Sequence, residues 1–190
     1  MSARGPVVAV VLAGGGARRF GADKLDAPLA GSTVLDTLLA ALPPDWEVVV
    51  VGPTRPTARP VTWTREEPAG GGPLAGVLAG LAAAVTGAPL AAVVAGDMPF
   101  AAPALKRLVE VLRSAGPEVA AAVAVDGTGR PNPLLAAYRP PAVRTAAPVD
   151  ATGLPARRLL DLPHVEVAVE PRTARDVDTR ADLAALDDEA

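Results

Sequence analysis

No cysteine occurs anywhere in the 190 residues, so disulfides and thiolate-bound metals are excluded. Histidine is nearly absent as well. Only His164 offers an imidazole, and within "LPHVEV" it reads as a loop or strand-end residue rather than a catalytic one. Basic charge is not in excess: the net charge of −3 argues against bulk binding to nucleic acid or to an anionic membrane. Among the cations lysine is scarce, with sixteen arginines against two lysines, Lys24 and Lys106. Charge of either sign is missing from Pro68 to Gly96, a stretch longer than a bilayer span requires. It is mostly Ala, Gly and Pro, however, with the turn signal "TGAP" (Thr86–Pro89) in its middle, and is expected to form a buried helix followed by a buried strand. Arg4 alone precedes the first apolar run and glycines follow that run at once, unlike a signal peptide. A soluble, cytoplasmic protein is the resulting expectation.

What is present is a core. Half of the residues are hydrophobic, and the length suits a single domain over 1–190 that buries roughly two-thirds of its unfolded surface, with loose ends at 1–5 and 188–190. Short apolar runs alternate with helical patterns. "PVVAVVLAG" (Pro6–Gly14), "EVVVVG" (Glu47–Gly52), "PVTWT" (Pro60–Thr64), "PLAAVVAGD" (Pro89–Asp97), "EVAAAVAVDG" (Glu118–Gly127), "PLLAAY" (Pro133–Tyr138) and "VEVAVE" (Val165–Glu170) read as strands. Helices are expected at Ser32–Pro43 with Ser32 as N-cap, at Pro73–Val85 with proline at its first position, and at Ala102–Gly116, where Leu105, Leu108, Val109 and Leu112 share a face. Shorter helical candidates lie near Ala142–Ala147 and Pro155–Leu162. The last helix, Asp178–Leu186, opens on a capping box of Thr179 and Asp182. Such alternation predicts an α/β three-layer sandwich around a mostly parallel, Rossmann-like sheet. Pro53–Pro60 is expected to be a surface loop.

The first loop carries the chemistry. "VVLAGGGARRFGADK" (Val10–Lys24) follows a buried strand with glycines whose amides can converge on an anion. It is neither of two familiar phosphate loops. Ala22 and Asp23 stand where a P-loop needs Lys and Ser/Thr, and Arg19 stands where a Rossmann turn needs its third glycine. Arg18, Arg19 and Lys24 instead offer three cations for a polyphosphate. In a chain so biased toward arginine, Lys24 reads as a demand for a compact point charge.

These residues resemble the L-A-G-G-x-S-x-R-M-G-x-x-K signature of nucleotidyltransferases, most closely the molybdenum cofactor guanylyltransferase family, with Ala17 for Ser and Phe20 for Met. Further segments follow in family order. "GGGPLAG" (Gly70–Gly76) resembles the base-recognition loop, and "GDMPF" (Gly96–Phe100) resembles C-D-M-P-F. "RPNPLLAAY" (Arg130–Tyr138) resembles Q-P-L-x-A-x-Y, "LPARRLLD" (Leu154–Asp161) resembles S-L-R-R-L-L, and "DVDTRADL" (Asp176–Leu183) resembles N-[IV]-N-T-P-E-D-L. The resemblance implies a fold of the nucleotide-diphospho-sugar transferase type. It also implies transfer of GMP from GTP to the phosphate of molybdopterin, assisted by Mg²⁺. Related readings are the use of CTP, a sugar-phosphate acceptor, or a nucleotide-binding regulator without turnover. Molybdenum-cofactor or molybdoenzyme proteins are possible further partners.

Such a reaction needs no protein nucleophile, because positioning and electrostatic stabilisation of two anions suffice. Asp97, at the carboxyl end of a buried strand, is the candidate metal ligand, with a helix-capping role as the alternative. Asp178 is either a second ligand or a turn-forming aspartate. By resemblance Arg19, Lys24 and Asp97 form the catalytic set. Leu12, Ala13 and Gly14 would meet nucleoside and ribose, and Gly15, Gly16, Arg19 and Lys24 the triphosphate. Arg65 falls where the family often has a polar nucleotide contact, while Pro53 cannot supply one. Gly72, Pro73, Leu74, Ala75 and Gly76 would cover the base, unless their glycines serve tight helix packing. Asn132, Arg157 and Arg158 are candidates for holding the acceptor.

Overall fold

A computed structural model describes residues 5–14 and 23–187 of the chain. The expected loose ends at 1–4 and 188–190 lie outside the described residues. Gly5 lies within them, its carbonyl accepting from Arg113 at 3.4 Å. Strand β1 (Val7–Leu12) is followed, after a 3-10 turn at Lys24–Asp26, by the two-residue pair β2 (Pro28–Leu29) and β3 (Ser32–Thr33). Helix α1 (Val34–Ala41), β4 (Glu47–Val51), β5 (Thr62–Thr64), α2 (Pro73–Ala83), β6 (Leu90–Ala95) and α3 (Ala102–Ser114) come next. Then follow β7 (Ala121–Val125), β8 (Pro131–Tyr138), α4 (Pro140–Ala146), a 3-10 helix at Ala156–Asp161, β9 (His164–Ala168), a 3-10 turn at Pro171–Ala174 and α5 (Arg180–Asp187).

Seven strands form one sheet in the order β5-β4-β1-β6-β8-β7-β9. β1 pairs in parallel with both β4 and β6, β4 with β5, and β7 with β9; β8 alone runs antiparallel, between β6 and β7. The β1 side chains explain why its sequence is apolar throughout. Val7, Ala9 and Val11 face a core shared with α1, α3 and α5, while Val8 and Val10 face a second core shared with α2, α4 and the 3-10 helix. A strand covered on both faces has no polar side to alternate with. The three-layer α/β sandwich with a mostly parallel sheet is therefore as expected.

Helix α1 begins one residue later than expected. Ser32 pairs with Leu29 in the small β2–β3 ribbon, and Thr33 takes the N-cap, accepting from the Asp36 amide at 3.1 Å. Serine is intrinsically the better cap of the two, but Ser32 is committed to the ribbon, which leaves the role to Thr33. Pro73 sits in the first turn of α2 as expected. At α5, Thr179 Oγ1 accepts from the Asp182 amide at 3.2 Å, while Asp182 Oδ2 accepts from the Thr179 amide at 2.7 Å, which is the reciprocal capping box.

Two arginines close helix ends from a distance. Arg59, on the loop after β4, donates to the carbonyls of Leu39, Leu42, Pro43 and Trp46 at 2.9–3.1 Å. Arg139 does the same for α3, reaching Leu112 at 3.0 Å and Ala115 at 3.2 Å. A fixed guanidinium fork satisfies carbonyls that a helix end leaves without partners and meets the negative end of its dipole.

Candidate active site

Ligands of open α/β sheets bind beyond the carboxyl ends of parallel strands. Here that edge is extended by backbone bonds beyond the strands: Ala13 to Val51 at 2.8 Å, Gly52 to Thr64 at 2.9 Å, and Gly96 to Leu12 at 2.9 Å, each amide donating to the carbonyl named second. Leu12, Ala13, Gly14, Arg65 and Asp97 all follow from these ends, so the sheet brings them to one rim. Gly14 and Arg65 are exposed, Leu12 and Asp97 half-buried. The antiparallel β8 starts at the same rim. Its register with β6 runs from Ala91 opposite Tyr138 to Val94 opposite Leu135, and its pairing with β7 shifts between Ala136 and Asn132. The Asn132 Oδ1 accepts from the Leu134 amide at 2.9 Å.

Lys24 reaches this rim from the opening loop. Its position is set by the turn it begins: Asp23 caps that turn, accepting from the Leu25 amide at 3.1 Å, and Arg55 clamps it by contacting Asp23 at 2.8 Å and Asp26 at 3.0 Å. From there the Lys24 ammonium lies 2.5 Å from Asp97 Oδ2 and 2.8 Å from Asp178 Oδ1. Burial works against the charged ammonium, but the hydrogen bonds and charges of Asp178 and Asp97 outweigh it and hold Lys24 above the ordinary lysine value. The lysine after the glycine-rich segment and the strand-tip carboxylate, read from segments far apart in sequence, thus meet in direct contact.

Asp176 completes the cluster. Asp97, Asp176 and Asp178 each offer one carboxylate oxygen, all within 4.8 Å of one another. Burial first, then repulsion from Asp178 and Asp97, raises the Asp176 carboxyl above the ordinary aspartate range. Asp97 Oδ1 is buried and has no hydrogen-bond partner among the described residues. The set fits a hard divalent cation: the ligand atoms are all oxygen, their spacing suits a single ion, and one buried oxygen lacks a partner. Asp97 does not cap the following helix, whose N-cap is Ala101 with no side-chain bond. Nor is the Asp178 carboxylate spent on the turn before α5, which Asp182 closes.

Sequence reasoning missed Asp176 as a candidate. The signal was the alternation in "DVD": on an extended stretch residues two apart share a side, and Val177 between them is fully buried. The acids are held beside the end of β6 by the Val177 amide, which donates to the Asp97 carbonyl at 2.9 Å; earlier in the same segment the Arg172 guanidinium lies 4.3 Å from the Phe100 ring centroid.

The base-loop candidates divide by environment. Gly72, the N-cap of α2, has φ +92°, a conformation that favours glycine, and stands half-buried at the rim near Leu154. Pro73 is exposed and Ala75 half-buried, whereas Leu74 belongs to the core. Gly76 is buried beneath Leu12, where a Cβ would come within 3.2 Å of Leu12 Cδ2, so at this position close helix–strand packing accounts for the glycine. Arg157 and Arg158 are exposed on the 3-10 helix. That segment is tied to the base loop where the Gly153 amide donates to the Gly71 carbonyl at 2.7 Å. His164 opens β9, its ring nitrogen 2.8 Å from the Leu162 carbonyl. Gly15, Gly16, Arg18 and Arg19 lie outside the described residues. No helix among the described residues is long and apolar enough to cross a membrane.

A doubly covered, mostly parallel sheet with lysine and clustered carboxylates at its carboxyl rim is the architecture of a nucleotidyltransferase. Comparison with known proteins gives the family. Residues 9–169 match the model of the MobA-like NTP transferase domain. The chain is 36% identical over 145 residues to a molybdenum cofactor guanylyltransferase of Mesorhizobium japonicum, covering 71% of this chain and 68% of that one. It is 35% identical over 189 residues to a probable molybdenum cofactor guanylyltransferase of Mycolicibacterium paratuberculosis, covering 93% of each. A similar solved fold is the molybdopterin-guanine dinucleotide biosynthesis protein A of Archaeoglobus fulgidus, with TM-score 0.73 and 24% identity over 96% of this chain and 97% of that one. The chain belongs to the MobA-like NTP transferase family and is a nucleotidyltransferase.

Proposed function

We propose that this enzyme transfers GMP from GTP to the terminal phosphate of molybdopterin cofactor, releasing pyrophosphate. The observation that carries the reading is the contact of Lys24 with Asp97 at the rim to which the glycine-rich loop leads. The guanylyltransferase names of the relatives support the choice of donor and acceptor.

The chemistry is displacement at the α-phosphorus: the acceptor phosphate oxygen forms a new P–O bond as the bond to the β-phosphate oxygen breaks. Repulsion between two anions and their alignment make up most of the barrier. A divalent cation, Mg²⁺ being the expected one, would be held by Asp97 and Asp178 with Asp176, and would supply charge neutralisation and orientation of phosphate oxygens. Lys24 presents a compact positive charge to the triphosphate. Gly15, Gly16 and Arg19 are proposed to hold its other oxygens. Leu12, Ala13 and Gly14 offer backbone to the nucleoside, and Gly72 with its neighbours shapes the pocket for the base beside Arg65. Asn132, on β8, is proposed to meet the acceptor, with Arg157 and Arg158 as outer contacts. The whole of 1–190 is read as one catalytic domain acting in the cytoplasm.

Pyrophosphate release, measured for each NTP with and without molybdopterin, tests the reading. Release from GTP that requires the acceptor supports it. Preference for CTP would make the enzyme a cytidylyltransferase, and no release from any NTP would leave only nucleotide binding.

A further inference from the structure

Resting on the proposed metal site, we infer that Lys24 serves as a built-in stand-in for the divalent cation, and that metal entry drives its ammonium off the carboxylates toward the triphosphate. The Lys24 Nζ sits 2.5 Å from Asp97 Oδ2 and 2.8 Å from Asp178 Oδ1, two carboxylates from separate segments of the chain. A hard divalent ion would bind oxygens at about 2.0–2.6 Å. An ion held by the three carboxylates, with the unpartnered Asp97 Oδ1 among its ligands, would lie beside the ammonium on Oδ2, and two cations that close repel each other. One ammonium cannot balance three carboxylates, so the cluster retains attraction for an ion of higher charge.

The lysine is built to make this move. Asp23 and Arg55 fix the backbone turn from which it projects, while its long, flexible stem leaves the charged end free to swing. The arrangement serves two ends. It holds Asp97 and Asp178 together before the metal arrives, when their repulsion would otherwise open the site. It also releases a phosphate-binding charge only when the metal is in place, so that triphosphate and metal are engaged in concert.

Crystals of the full chain grown with Mn²⁺ and without nucleotide test the inference. Manganese among the three carboxylates, with Lys24 Nζ beyond about 4 Å from both Asp97 and Asp178, is the expected result. Reductive methylation in solution reads the same change, because the chain has only two lysines and Lys106 is exposed on α3 as an internal reference. Saturating Mn²⁺ is expected to raise the Lys24-to-Lys106 labelling ratio severalfold, because an amine drawn off its two carboxylates becomes open to the reagent. Manganese bound with Lys24 still on both carboxylates, or an unchanged ratio, overturns the displacement while leaving the metal site standing. No manganese at the cluster overturns the metal site and the displacement together.

Discussion

Val177 donates its backbone N–H to the carbonyl of Asp97 across 2.9 Å, which joins a late segment of the chain to the tip of the central strand β6. Its side chain is fully buried, while the aspartates on either side of it reach the same carboxylate cluster as Asp97. One hydrogen bond and one apolar anchor thus register two acids against a third.

Asp97→Asn keeps the shape of the side chain but removes its charge. Turnover is expected to fall by about 10²–10³-fold or more, on the scale of losing one transition-state electrostatic contact. Circular dichroism should be unchanged and Mn²⁺ binding lost. Full turnover in this variant would remove Asp97 from the chemistry.

Phe100→Leu preserves an apolar side chain and removes the ring face beneath Arg172. A cost of about 1 kcal/mol in urea unfolding is expected. The contact joins the turn that precedes Asp176 to a residue that follows Asp97, and through it Mn²⁺ is expected to bind severalfold more weakly. A variant that loses stability but keeps its Mn²⁺ affinity would show that the contact supports the fold alone.

Gly80→Ala sets two effects against each other. A Cβ there would lie 2.3 Å from Val10 Cγ1 and 3.0 Å from Val51 Cγ2. Overpacking costs about 1–3 kcal/mol, against a gain of about 1 kcal/mol in helix propensity. Net destabilisation is expected by urea titration. Pairing the change with Val10→Ala should cost less than the two single variants added together, and strict additivity would mean that the clash is relieved elsewhere.

Glu47→Gln tests a pH effect. Burial favours the neutral acid, but bonds from the Thr86 hydroxyl and the Val85 and Thr86 amides prevail and hold Glu47 below the ordinary glutamate range. A folded-state value below the unfolded one adds stability that is complete above the unfolded value and is lost as pH falls through the folded one. Wild type should therefore exceed the variant in stability at neutral pH, with the gap closing under acid. A gap independent of pH would contradict this assignment.

The strands were legible because burial on both faces writes itself as unbroken apolar runs, of which Val7–Leu12 and Leu90–Ala95 are examples. Direction was not legible: nothing in "PNPLLAAY" says that β8 runs against its neighbours, since an interior antiparallel strand is as apolar as a parallel one. Lys24 and Asp97 could be singled out because each breaks a local pattern, a lysine among arginines and an acid at the end of an apolar strand. Asp176 sits among other charges and breaks none, so only the folded chain reveals its neighbours. Arg59 and Arg139 escaped for a similar reason. An arginine that binds carbonyls looks, in one dimension, like any solvated arginine.

The place of β8 between β6 and β7 has a consequence for assembly on the ribosome. β1, β4, β5 and β6 can pair as they emerge, whereas β7 has no bonded neighbour within the sheet until residues 131–138 slot in beside it. The carboxylates at 176 and 178 emerge later still. The strands that would cradle a nucleotide are thus made first, and two of the three carboxylates proposed to hold the ion come last.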